Sequence, residues 1–174
     1  IEILADLRNE EAITPDQVDA VTLSVDPGHL KVCNIQEPET GLEVKFSLRH
    51  TAAFALAGLD TAVIDSYSDA NARDDDLIAL RRRVTITGDG GPFTLATATV
   101  SLQDGRTLER SFDVGIPAED VAAQGDKIDA KFRSLAIPLL GEARAEALLA
   151  DLHDLENLDD TSQLLAHVAD WKVN

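Results

Sequence analysis

The sequence is 174 residues long, with 44% hydrophobic and 27% charged residues, a composition that disfavours disorder and allows one domain with a sizeable core. Fifteen Lys and Arg stand against 32 Asp and Glu, a formal charge of -17 that repels nucleic acid and anionic lipid over most of the surface. No apolar run approaches the about 20 residues that a bilayer crossing takes, and no charged-then-apolar segment marks an export signal.

Residues 1–9 carry Ile3, Leu4 and Leu7 at helical spacing, and Thr14-Pro15-Asp16-Gln17 reads as a capping box that opens one short turn. Val21, Leu23 and Val25 then alternate with polar or small residues, the period of a half-buried strand that stops at Asp26-Pro27-Gly28. The stretch from His29 to Thr40 has no clean period and is expected to be an irregular loop, with His29 exposed. The single cysteine, Cys33, excludes an internal disulfide and a cysteine-rich metal site, and is expected to be a small buried apolar residue.

The most informative stretch is Lys45 to Gly58, KFSLRHTAAFALAG. Ser47 can cap a helix and Gly58 can end it in a left-handed conformation. Between them, Leu48, Phe54, Leu56 and four alanines leave hardly any polar face, so the helix is expected to be buried, with neighbouring backbone close by. Only the first turn is polar. Arg49 and His50 lie beside unpaired N–H groups, where a carboxylate or phosphate is favoured; a solvated basic pair is the other reading.

Asp60 to Asp69 reads as a connector with a short turn around residues 61–64. Asp74-Asp75-Asp76 and Arg81-Arg82-Arg83 bracket a helix of about three turns, and the helix dipole accounts for both runs without an anion site. Val84 and Ile86 open a second strand. The GDGG turn after it lacks the Walker lysine and the context of a dinucleotide site. Residues 94–103 and 106–114 alternate around Asp104-Gly105 as a hairpin. The rest is helical, with stripes at Ile128/Phe132/Leu135 running to Pro138, at Leu148/Leu152/Leu155 and at Leu164/Val168/Trp171, each expected to be core. His153 and His167 fall among acids, where surface salt interactions are expected. The predicted fold is therefore α+β, a two-layer sandwich with a mainly antiparallel sheet of about four strands, helices on one face and a helical C-terminal tail.

Lys45-Phe46-Ser47-Leu48 with its small-residue helix, Val32-Cys33 and Pro38-Glu39-Thr40 before it, and Asp104-Gly105, Gly115 with Pro117, and Lys131-Phe132 after it resemble the C-terminal domain of the MmgE/PrpD superfamily. That family includes 2-methylcitrate dehydratases, cis-aconitate decarboxylases and iminodisuccinate epimerases. The resemblance implies an enzyme, most like a 2-methylcitrate dehydratase, acting on small di- or tricarboxylates by moving a proton beside a carboxylate, without metal or organic cofactor. It further implies a cytoplasmic homodimer. Its active site would lie between this domain and an all-helical N-terminal domain bearing a lysine and histidine motif just upstream of Ile1. Residues 1–174 are accordingly expected to be a single domain, the C-terminal part of a longer protein, and catalytically silent alone; the first residue is Ile1 and there is no methionine.

Within that resemblance His50 is the candidate acid or base, at a position where several members carry tyrosine, and Arg49 is the candidate carboxylate clamp. The rival is a non-catalytic dimerisation or interaction domain. A catalytic domain should expose His50 in a concave wall, whereas a structural one should bury it.

Overall fold

A computed structural model describes residues 1–169, which divide into two compact units, Ile1–Pro117 and Ala118 onward. The chain is α+β, and its first unit is built on a four-stranded sheet of order β2-β1-β3-β4, formed by Val18–Val25 (β1), Val84–Thr87 (β2), Leu95–Leu102 (β3) and Thr107–Asp113 (β4). The hairpin expected around Asp104-Gly105 is present: β3 and β4 are antiparallel with Val100 opposite Leu108. β1 runs antiparallel to β3 and parallel to β2, with Val21 facing both Val100 and Val84. A parallel pair needs a long crossover, and residues 26–83 supply it.

One face of the sheet is apolar and the other is not. Val21, Ala98, Val100 and Leu102 turn inward and are buried, while Thr22, Thr85, Thr99 and Glu109 share a row on the opposite face. A register shift between Val18 and Ala20 lets Val18 as well as Val21 reach the core, although strict alternation would put residues three apart on opposite faces. The inner face is covered by the first helix, Glu2–Glu10 (α1), through Ile3, Leu4 and Leu7.

The crossover carries Gly41–Val44 (α2), Leu48–Ala57 (α3), Asp69–Ala72 (α4) and Asp75–Arg81 (α5). α3 is buried on two sides, as its composition requires. Ala52, Ala53, Ala55 and Leu56 join the sheet core, and Phe54 packs into a second cluster with Val44, Ala72 and Leu77. Its ends are as expected: the Ser47 hydroxyl accepts from the His50 N–H at 3.3 Å, and Gly58 leaves with φ +79°.

Several expectations for the crossover need correction. α5 has two turns rather than three, because Asp74 is its N-cap, accepting from the N–H groups of Asp76 and Leu77 at 3.0 Å, and the chain is already in β2 at Val84. The connector turns at residues 61–62 as expected, but its helical turn is Ile64–Ser66, at the far end of the expected range. Helix α2 was legible in its own Thr40–Glu43 capping box, in which the Glu43 carboxylate accepts from Thr40 N at 3.1 Å. His29 is half-buried, stacked on Phe93 at 4.1 Å with Nε2 donating to the Phe93 carbonyl at 2.8 Å. Cys33 is not fully buried; it lines an apolar groove with Leu48, Thr51 and Tyr67.

The second unit contains Val121–Leu140 (α6), Glu142–His153 (α7) and Ser162–Ala166 (α8). α6 runs through Pro138, where the stripe was expected to stop, and ends at Leu140. The stripe at Ile128 and Leu135 is not core: no residue of α6 is buried, and Ile128 is 59% exposed. On α7 the buried residues are Ala145 and Leu149, while Leu152 there and Leu155 beyond its end are exposed. His153 pairs with Asp129 at 2.9 Å and His167 with Asp151 at 2.7 Å, the surface interactions expected of them. Leu164 is half-buried and Val168 exposed; Trp171 lies outside the described residues.

Candidate functional site

Ser47 stands where two pieces of chain meet. It bridges Asn34 of the preceding loop, and the backbone pairs Ile35 N–H to Phe46 C=O and Leu48 N–H to Cys33 C=O hold that loop along the start of α3. This arrangement sets Arg49. Its guanidinium is half-buried and donates from Nη1 to the Asn34 side-chain oxygen at 2.8 Å, so it is held in one direction instead of waving in solvent.

Arg49 faces a cavity of about 390 Å³ that it lines with Gln36, Glu37, Arg81, Arg82 and Val84. The arginine run that the helix dipole was expected to explain is therefore split three ways. Arg82 is exposed at this cavity, and Arg83 donates to the Val18 carbonyl at 2.7 Å. Arg81 is 5% exposed and is the buried end of α5. The signal was present: Leu77, Leu80, Arg81 and Val84 recur at helical spacing, which places Arg81 on the apolar face whatever its charge. Burial lowers its pKa, and the neighbouring Glu37 opposes that shift.

His50 does not stand open in a concave wall. It is 0% exposed, on the same helical face as Ala53, Phe54 and Ala57, with its ring edge-on to Phe54 at 5.0 Å. Its Nε2 lies 3.1 Å from the Asn71 carbonyl, which can only accept, so Nε2 carries the proton and Nδ1 keeps a bare lone pair. That Nδ1 has no hydrogen-bond partner among the described residues. Burial, more than the nearby Arg81 charge, lowers the pKa of His50, and the Asn71 hydrogen bond pulls the other way; the ring is neutral at pH 7.

Arg49 and His50 are adjacent in sequence but lie on different sides of α3, one facing a cationic cavity and the other the core. Among the described residues no group of three or more His, Cys, Asp and Glu is placed to hold a metal ion, and no helix is long and apolar enough to cross a membrane.

A family model for the MmgE/PrpD C-terminal domain matches residues 1–155. The chain belongs to the MmgE/PrpD C-terminal domain family. Among curated proteins, none matched it. The match covers the whole first unit of this MmgE/PrpD domain and runs on through α6 and α7.

Proposed function

We propose that this MmgE/PrpD domain forms one wall of the active site of a lyase or isomerase that moves a proton beside a carboxylate of a small di- or tricarboxylate, an all-helical N-terminal domain forming the other. The observation that carries the proposal is Arg49, a guanidinium fixed by Asn34 at the head of α3 and turned to a cavity with two more arginines. Proton abstraction beside a carboxylate builds negative charge on its oxygens, and an oriented guanidinium stabilises that charge without reorganising. His50 lies on the other side of α3, buried and neutral, with its ring edge-on to Phe54 of the same helix.

A second reading is favoured by one feature, the free lone pair of His50 Nδ1, which is that of a base awaiting a proton. The two readings separate in the full-length protein assayed on 2-methylcitrate, cis-aconitate and iminodisuccinate. Under the first, Arg49→Gln lowers kcat/KM by about 10- to 100-fold, the loss of one charged hydrogen bond, and His50→Gln costs less than about 10-fold. Under the second, His50→Gln costs about 100-fold or more while the fold, checked by circular dichroism, is kept. No turnover of any of the three by the full-length protein would leave the interaction-domain alternative.

A further inference from the structure

We infer that the groove bounded by α5 and the turns at Pro15–Gln17 and Ile64–Ser66 binds an aliphatic polyamine, with its ammonium groups on Asp16, Asp65 and Asp76 and its methylene chain on the apolar floor.

The groove encloses about 680 Å³, within the range of small-molecule sites. Its floor is apolar: Leu59 and Val63 line it half-buried after the end of α3, and Leu77 and Leu80 line it buried from α5. The rim is acidic and exposed, with Asp16, Asp65, Asp74 and Asp76 set against one cation of the lining, Arg83. The fold itself employs Asp74, whose carboxylate caps α5. Asp16, Asp65 and Asp76 make no ion pair within 4.0 Å among the described residues. The dipole of α5 favours Asp76 where it stands, but it does not account for Asp16 and Asp65, which two distant turns bring to the same opening.

Both turns are held in place. Arg83 donates from Nη1 to the Pro15 carbonyl at 3.2 Å and to the Val18 carbonyl at 2.7 Å, which fixes the Asp16 turn beside β2. Asn71 of α4 donates from Nδ2 to the Ser66 carbonyl at 2.8 Å, which fixes the turn that carries Asp65. A rim fixed before the ligand arrives spares the ordering cost of binding.

The spread of the acids decides the kind of cation. Among the described residues no group of three or more His, Cys, Asp and Glu converges to hold a metal ion, so one compact charge cannot answer the whole rim. What answers it is a set of separate positive centres joined by an apolar chain. A polyamine has that form: ammonium groups spaced by short methylene runs, which an apolar floor accepts as it accepts the stem of a lysine. A basic peptide would bring a polar backbone over the same floor, where its N–H and C=O groups would find few partners.

The test uses the 174-residue chain with spermine, putrescine, magnesium chloride and a tetralysine peptide as probes, at an ionic strength of about 0.15 M that screens diffuse attraction to an acidic protein. Calorimetric titration and the thermal midpoint are read together. Spermine is expected to saturate a single site and to raise the midpoint, and putrescine to bind more weakly because it reaches fewer carboxylates. Asp16→Asn and Asp65→Asn, at exposed positions, are each expected to weaken spermine about 2- to 5-fold, and the double variant about 5- to 30-fold. Glu119→Gln with Asp159→Asn removes the same charge from exposed sites outside the groove and is expected to leave spermine binding unchanged.

The proposal is overturned if spermine shows no saturable binding up to about 1 mM. It is equally overturned if magnesium displaces spermine at the same concentration of charge, a result that reports a diffuse ion atmosphere and needs no variant. A loss of binding in the Glu119/Asp159 double variant as large as in the Asp16/Asp65 one would overturn it too. Tetralysine binding that is tighter than spermine and lost in the Asp16/Asp65 double variant would give the groove to a basic peptide instead.

Discussion

His50 Nδ1 and Arg81 Nη1 are the two buried side-chain polar atoms without a hydrogen-bond partner among the described residues, one a bare acceptor and the other a donor, on helices α3 and α5 that pack together. Their chemistry is complementary, and the Arg81 charge already helps to hold His50 neutral. Unsatisfied polar atoms are rare in protein interiors and cluster where a ligand, a water or a moving group completes them. Arg81 lines the arginine cavity and His50 lies in the core on the other side of α3, so the α3/α5 seam carries both of these unsatisfied atoms.

The burial of His50 has a signature in pH. Its folded pKa lies below the ordinary value of about 6.5, so below that pH the unfolded chain binds a proton that the folded chain refuses. This contribution to stability is fully present above about 6.5 and is lost as pH falls toward the lower, folded pKa. His50→Gln should remove that part of the loss: denaturant titrations of parent and variant should converge in stability as pH is lowered from 7 to 5. A difference that stays constant over that range would show that the imidazole is free to protonate in the folded state.

The cap of α3 is the next test. Ser47 is buried and its hydroxyl accepts the His50 N–H, so alanine leaves that donor with no partner and no water. Ser47→Ala should cost about 1–2 kcal/mol, measured as a shift in the urea midpoint at unchanged slope. A cost below about 0.3 kcal/mol would mean that the first turn of α3 is held by the Asn34 bridge and its backbone pairs alone.

Gly41 opens α2 against the backbone of Tyr67 and Ser68, and a Cβ there would overlap the Tyr67 carbonyl group. Its N–H also donates to Asp69 at 2.8 Å, which ties α2 to the start of α4. Gly41→Ala should therefore cost about 1–3 kcal/mol or more by pushing two backbones apart, although alanine ordinarily favours a helix. A midpoint equal to or above the parent's would show that the α2/α4 contact yields freely.

What was legible in the sequence was what local chemistry decides. The α3 caps, the capping box at Thr14, the β3–β4 hairpin and the inward stripe of α1 depend on residues within one or two turns of each other, and all are found as read. Charge is a poor guide to where His50 and Arg81 lie, because spacing sets their burial: each lies four residues from a buried apolar partner, Phe54 and Leu77 respectively, and is carried inward with it. The α6 stripe departs in the opposite sense: an apolar period of seven marks a face that can be covered, and Ile128 and Leu135 are left exposed. The cavity itself joins residues 36–37, 49 and 81–84, a conjunction that no single window of sequence contains.

The parallel pairing of β1 with β2 dictates an order of assembly. The β3–β4 hairpin closes over a short turn, an event that takes about 1–10 μs in isolation, and β1 adds to it antiparallel from a distance. β1 meets β3 only across residues 26–94 and β2 only across residues 26–83, so both pairings pay more loop-closure entropy than the hairpin, and the strand that carries Val84 at the arginine cavity is placed after it. Pulse-labelled hydrogen exchange should find β3 and β4 amides protected before those bonding β1 to β2, and early protection at Thr85 and Thr87 would refute this order. Kinetically the cavity is then younger than the hairpin: it exists only in chains whose long-range pairings have formed, so any ligand that binds there selects such chains and slows their unfolding without hastening hairpin formation.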